Sequence, residues 1–383
     1  MSAEKRRHFE NLDALRFFAF FAVFALHVVT IPAPIIFSNP YHRVLLYFTD
    51  MGFLGVDFFF VLSSFLITWI VLEEYDHTGG FAMRRFWIRR TLRIWPLYFL
   101  TVLPVYAVWW LGSDLLSSTP HPLWAFTFTI NFYIAQYGHA FLIALGVLWS
   151  ISVEEQFYFA WAVALKNLKN HLPILSVLLI VISLISSVYV RNWGDYPFFH
   201  TSIFLQHFGV GALVAWAAYN RTAFFRRLEN LPRSLIVLGY LGGLANLAAY
   251  RYVFRTDPLA MVGLRFGLVL FFAYVIFEQS FCKNSLLKLG GWKPLDYLGK
   301  ISYGLYVYHG VAISLAIYLT YPYGAGDTML EAVLFYPLAI LALTLVLSIF
   351  SYELFETPFL RIKSRFYGNV RRSERSLIYS SST

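Results

Sequence analysis

The chain has 383 residues, of which 59 % are hydrophobic and only 13 % charged, where a soluble domain carries about a quarter charged. That balance excludes a soluble enzyme and leaves no room for a soluble catalytic domain. The net charge of +9 fits basic loops facing anionic membrane lipid, so nucleic acid is not an expected partner. Cys282 is the single cysteine, which excludes an internal disulfide and a thiolate metal site, and no metal is expected.

Hydrophobic stretches long enough to span a bilayer recur at about 12–31, 53–72, 92–111, 142–165, 173–190, 200–219, 234–253, 259–281, 298–319 and 330–355. They predict an all-α integral membrane protein with one ten-span domain, 12–360. A cytoplasmic segment, 1–11, precedes it, and a basic cytoplasmic tail, 361–383, follows with a disordered end. With both termini inside, 24 of the 30 lysines and arginines fall in cytoplasmic segments. Four (Arg43, Arg191, Arg251 and Arg255) fall in outer loops, while Arg16 and Arg265 lie within spans. An eleventh span over the aromatic stretch 123–138 would invert every later loop and destroy this asymmetry, so that stretch is placed at the outer interface or as re-entrant. Lys5, Arg6 and Arg7 precede the first span as in a signal peptide, but Arg16, His27 and the lack of a small-residue cleavage pattern predict that it stays. Asn220-Arg221-Thr222 is a glycosylation tripeptide on the predicted cytoplasmic side and is expected to remain unmodified.

In the first span, Arg16 and His27 are separated by three helical turns plus about 20°, so they share one face with roughly 16 Å of rise between them. Ionisable groups inside a bilayer are costly and usually face a partner or a polar cavity. The bland alternative is a snorkelling arginine and a histidine bonded to a neighbouring helix. The second span, GVDFFFVLSSFLI, holds Asp57, which could cap or orient its helix, and Ser63 and Ser64, which could serve close packing. Before the third span, RRFWIRRTLRIWPLYF places Arg90 and Arg93 on one face, and Pro96 is expected to bend or start the membrane helix. So many arginines suit a bidentate grip on phosphate, although inner-side positive charge is expected anyway. The fourth span, LWSISVEEQFYF, brings Glu154 and Glu155 toward mid-membrane, either as chemistry or as a buried Glu–Arg pair holding helices together. In the ninth, Ser302 and His309 stand two turns apart on one face with Tyr306 between them, and His309 could be a reactive or a satisfied core histidine.

Taken in order, RFFAFFAVFALH, GVDFFFVLSSFLI, RRTLRIWPLY, LWSISVEEQFY, ISYGLYVYH and YELFETPF give a chain that resembles the membrane acyltransferase-3 family from Leu12 to about Leu360. The resemblance implies a ten-span enzyme of the inner (plasma) membrane that moves acyl groups, usually acetyl from acetyl-CoA, onto saccharide or related acceptors. The family's arginine–ten–histidine motif falls on Arg16 and His27, and its basic RxxR motif on Arg90 and Arg93. One departure is Ser63-Ser64-Phe65 where the family commonly has Ser-Gly-Phe; the added side chain could narrow a passage.

On this resemblance Arg16, Arg90 and Arg93 are expected to hold the phosphates of acyl-CoA, which acts as a co-substrate; no tightly bound cofactor is expected. His27 is the expected general base, with Glu154 or Glu155 orienting it and His309 nearby, and a covalent acyl-histidine is the rival route. The expected partners are membrane lipid and a saccharide or glycolipid acceptor. A carrier using the same mid-membrane groups for protons or substrate is the alternative from another class, but the repeats and broken-helix pairs of carriers are not seen. A non-catalytic scaffold would leave the buried carboxylates and histidines without a purpose.

Overall fold

The computed structural model describes residues 9–29, 40–112, 118–138, 142–190, 196–253, 257–320 and 328–366. The charges of Lys5, Arg6, Arg7, Arg191, Arg255, Arg371, Arg372 and Arg375, the Arg43 side chain and the expected disordered tail lie outside the described residues. Among the described residues every regular element is helical and none is a strand. A chain in lipid must satisfy its backbone polar groups within each segment, and helices do so. The protein is an all-α integral membrane protein.

Each of the ten predicted stretches coincides with a helix. They are α1 (Glu10–Val29), α2 (Leu54–Thr78), α3 (Met83–Trp110), α4 (Trp149–Leu168), α5 (Leu172–Tyr189), α6 (Leu205–Tyr219), α7 (Arg233–Val253), α8 (Pro258–Phe281), α9 (Ser302–Thr320) and α10 (Tyr336–Phe350), and α11 (Thr357–Arg365) follows. Eight stretches among the described residues are long and apolar enough to cross a membrane. One of these, Ile143–Tyr189, holds both α4 and α5, joined by the tight turn Lys169–His171. The predicted span that is not among them is α7, whose three glycines and Asn246 dilute its apolar surface.

Three boundaries depart from expectation. α2 runs on to Thr78 and stops at Gly79, whose φ of 70° glycine adopts without a Cβ clash. α3 starts at Met83, so Arg84 to Arg93 form its first turns rather than a loop. Pro96 lies well inside α3, as does Pro104, so Pro96 does not start the helix. The last predicted span is not one regular helix, because π-helical turns at Glu331–Phe335 and Ser351–Glu356 flank α10.

The aromatic stretch 123–138 folds into two short helices, Pro122–Phe126 and Ile130–Tyr137, too short to cross a bilayer. Polar groups hold them against the bundle. The Tyr98 hydroxyl donates to the Ala125 carbonyl at 2.8 Å, and the Gln156 amide donates to the Phe128 carbonyl at 2.7 Å and to Asn131 Oδ1 at 2.9 Å.

α2 is the central helix, packed against α1, α4, α6 and α8. A Cβ at Gly55 would collide with the Ala19 carbonyl of α1, and one at Gly211 of α6 would collide with the Val61 carbonyl of α2. Small residues thus let three backbones touch, a packing favoured where lipid offers no hydrophobic drive between helices. A buried ionic clamp adds to this. Arg265 of α8 donates to both oxygens of Asp57, at 3.1 and 2.9 Å, and His207 Nε2 of α6 lies 3.3 Å from the same carboxylate. Asp57 therefore joins three helices rather than capping its own.

Candidate functional site

His27 and His309 are 282 positions apart in sequence and meet in space. His27 occupies the last turn of α1, beside α9. Its Nδ1 lies 2.9 Å from His309 Nε2, and the rings stack with centroids 5.1 Å apart at 19°. Although α1 ends nearby, α9 continues for eleven residues beyond His309, roughly 16 Å. The imidazole pair therefore sits well below that end of the bundle. Phe20 and Tyr306 close around His309, with ring centroids 6.0 and 5.4 Å away, and His309 is fully buried.

The hydrogen-bond partners fix the tautomers. His309 Nδ1 is bonded to the Tyr306 carbonyl, which can only accept, so Nδ1 carries the hydrogen. In a neutral ring His309 Nε2 is then an acceptor, and it takes the Nδ1 hydrogen of His27. The basic lone pair of a neutral His27 is thereby left on Nε2. Tyr306 is itself anchored, its hydroxyl 2.7 Å from Ser150 Oγ and 3.2 Å from the Val147 carbonyl.

A second cluster surrounds Glu154 of α4. Ser63 of α2 donates to Oε1 at 2.8 Å, Tyr158 donates to Oε2 at 2.7 Å, and the two hydroxyls are themselves 2.8 Å apart. Arg90 lies over the Tyr158 ring at 5.5 Å, and Arg90 and Arg93 both act electrostatically on Glu154. Glu155, a third of a turn away, serves a different neighbourhood. The Trp95 indole donates to its Oε2 at 3.0 Å, while its buried Oε1 has no hydrogen-bond partner. Neither carboxylate is bonded to His27, so the expected Glu–His orientation is replaced by a His–His one. Ser64 does not narrow a passage either: its hydroxyl donates to the Phe208 carbonyl of α6 and is fully buried in that contact.

The third cluster is cationic. Arg16 is paired with Asp13 one turn away and stands in the field of Arg90 and Arg93 on α3. Arg89 is turned elsewhere, 2.8 Å from Glu74, and Arg84 and Arg85 are exposed. The structure thus brings His27 to His309, and Arg16 to Arg90, Arg93 and, through them, Glu154; Glu155 stands apart beside Trp95. Sequence reasoning missed Tyr158, although it lies four residues after Glu154 on the same helical face. It also missed the partners of Asp57, because Arg265 and His207 carry no motif.

The family model Acyl_transf_3, described as an acyltransferase domain, matches residues 9–353. Among curated proteins, a Staphylococcus aureus protein named "Putative O-acetyltransferase" is 28 % identical over 380 residues, covering 93 % of this chain and 58 % of its own length. The peptidoglycan O-acetyltransferase OatA of Listeria monocytogenes is 27 % identical over 335 residues, covering 81 % of this chain and 50 % of its own. The chain spans about half the length of the curated relatives it matches. No solved structure matches.

Proposed function

We infer that this chain, which belongs to the acyltransferase-3 family, is an O-acyltransferase moving an acetyl group from acetyl-CoA to a hydroxyl of a saccharide beyond the cell membrane. The observation that carries this reading is the His27–His309 pair, which leaves His27 Nε2 as a base inside the membrane domain. The names of the relatives support acetyl as the group moved and cell-wall saccharide as the acceptor class. The protein would lie in the plasma membrane with both termini in the cytoplasm, as the basic loops favour.

Three guanidinium groups in one another's field are unfavourable alone and favourable around a polyanion, so Arg16, Arg90 and Arg93 fit the phosphates of the donor. The pantetheine arm, about 15–20 Å by chain reach, spans the rise from Arg16 to His27. In the transfer, the acceptor hydroxyl gives its proton to His27 Nε2 while its oxygen bonds the acyl carbon. The carbon–sulfur bond breaks, and the thiolate leaves with the proton from His27. Glu154, Ser63 and Tyr158 line the way between the cations and the histidines.

The test is transfer of labelled acetyl from acetyl-CoA to cell-wall saccharide by the purified protein in lipid, with ester on the saccharide read by mass spectrometry. His27→Ala should lower the rate about 10²–10⁴-fold without loss of folded protein. Wild-type turnover by that variant would remove His27 from the chemistry.

A further inference from the structure

We propose that the re-entrant hairpin 120–138 walls a water-filled vestibule that admits a saccharide from the outer face down to the level of Arg93, and that Gln156 is the positioning residue that holds the hairpin there. The inference rests on the acyl-transfer reading and names where the acceptor of that reaction enters.

Contacts along α3 measure how deep the hairpin goes. Toward the end of α3 remote from the arginines, the Tyr106 hydroxyl donates to the Pro120 carbonyl at 3.0 Å. Lower down, the Tyr98 hydroxyl donates to the Ala125 carbonyl at 2.8 Å, and the Phe128 ring rests on Trp95 with centroids 5.4 Å apart. Tyr106 and Trp95 are eleven residues apart, so the hairpin descends roughly 16 Å, and its tip stops two residues from Arg93. The imidazole pair lies no deeper. Tyr303 donates to the Ile94 carbonyl at 2.8 Å, and His309 stands six residues, roughly 9 Å, further along α9.

The tip, Thr127 to Thr129, is not helical, and Phe128 is held at a φ of 55°, where a bulky residue seldom sits. The Gln156 amide supplies the hold, donating to the Phe128 carbonyl at 2.7 Å. It also donates to Asn131 Oδ1 at 2.9 Å, Asn131 donates to Thr201 Oγ1 at 2.9 Å, and Thr201 returns a hydrogen bond to Gln156 Oε1. Asn131 donates to the Phe199 carbonyl at 3.2 Å as well, so side chains pair irregular backbone in both outer segments. This closed ring fixes the tip against the middle of α4. Yet Thr127 is exposed, its hydroxyl 2.8 Å from that of Thr129. Irregular backbone in the hydrocarbon region does not face lipid; it is buried in protein or lines water. An exposed, non-helical tip at this depth therefore lines water. Hydroxyls that both donate and accept, with the exposed ring of Tyr137 higher on the same wall, suit a neutral polyhydroxylated chain rather than an anion or a lipid tail.

The experiment uses the whole chain carrying Cys282→Ser, so that an introduced thiol is the one cysteine. Thr127→Cys and Thr129→Cys in sealed vesicles meet a charged, membrane-impermeant thiosulfonate on the outer face, and Leu103→Cys, on the exposed apolar side of α3, is the lipid-facing control. The tip cysteines should react, and a soluble peptidoglycan fragment at about ten times its Kd should slow the reaction about tenfold. Leu103→Cys should react only with a lipid-soluble maleimide. Gln156→Leu, which releases the Phe128 carbonyl, should raise the KM for the saccharide about tenfold and leave the KM for acetyl-CoA unchanged. Tip cysteines that react only with the lipid-soluble reagent, labelling that the saccharide does not slow, or an equal rise in both KM values overturns the proposal. Labelling and protection need no turnover, so a protected tip in a protein that transfers no acyl group would sink the transferase reading and leave the vestibule standing.

Discussion

At His27 the decisive quantity is which ring nitrogen carries the hydrogen. The Tyr306 carbonyl fixes it on His309 Nδ1, and His309 then fixes it on His27 Nδ1. His309 holds the tautomer as the carboxylate does in a Ser-His-Asp triad, but without a formal negative charge. His309→Phe should therefore lower kcat by about 10²-fold or more while leaving the KM for acetyl-CoA alone, since it removes orientation and not donor binding. A KM change of similar size would assign His309 to the donor site instead. Arg90→Ala and Arg93→Ala should show the opposite pattern, a raised KM with kcat largely kept, and Arg93→Lys should rescue only in part because lysine lacks the planar fork. Unaltered acetyl-CoA dependence in both alanine variants would move the donor site elsewhere. The stripe joining Arg16 to His27 was legible because eleven residues bring a helix back to the same face. The partner of His27 was not, because it depends on α9 docking against α1, and no local spacing encodes that.

At the scale of elements, α2 is the piece on which the others are referenced. It carries Ser63 to Glu154 on one side, Ser64 to the Phe208 carbonyl on another, and Asp57 to Arg265 and His207. Asp57 and Ser64, seven residues apart, share one face and Ser63 lies about 100° away, so a small rotation of α2 would break these contacts together. Replacing Asp57 with Leu leaves Arg265 buried without its counter-charge and should cost about 3–5 kcal/mol of stability. The double variant Asp57→Leu, Arg265→Leu should recover much of that loss, as thermal unfolding in detergent would read. If the double variant is no more stable than Asp57→Leu, the clamp is not what holds these helices. Helix positions were legible because stretches of about twenty apolar residues leave few alternatives. The start of α3 was not, since arginines mark a loop in hydropathy while favouring a helix by propensity, and the contacts of Arg89 with α2 and Phe366 hold that helix in place.

For the whole molecule the question is from which side each substrate comes. On the proposed topology the positive-inside rule puts Arg90 and Arg93 on the cytoplasmic side, the side from which the proposed CoA donor would come. His27 stands about 16 Å further along α1 from Arg16, toward the end flanked by the short aromatic helices Pro122–Phe126 and Ile130–Tyr137. Those helices are too short to span, and they turn polar groups inward to Gln156 while leaving Tyr137 exposed. A sugar arriving at that face would not have to pass Arg90 and Arg93, whereas a cytosolic sugar would have to pass the arginines assigned to the donor. Donor and acceptor are therefore expected to enter from opposite faces and meet at the histidine pair. In sealed vesicles of known orientation, acetyl-CoA should support transfer only from the cytoplasmic face, and a membrane-impermeant saccharide should accept only from the other. Transfer with both substrates confined to the cytoplasmic compartment would defeat this arrangement. The histidine pair would then serve an acceptor entering beside the donor, and the aromatic helices would be a wall rather than a mouth.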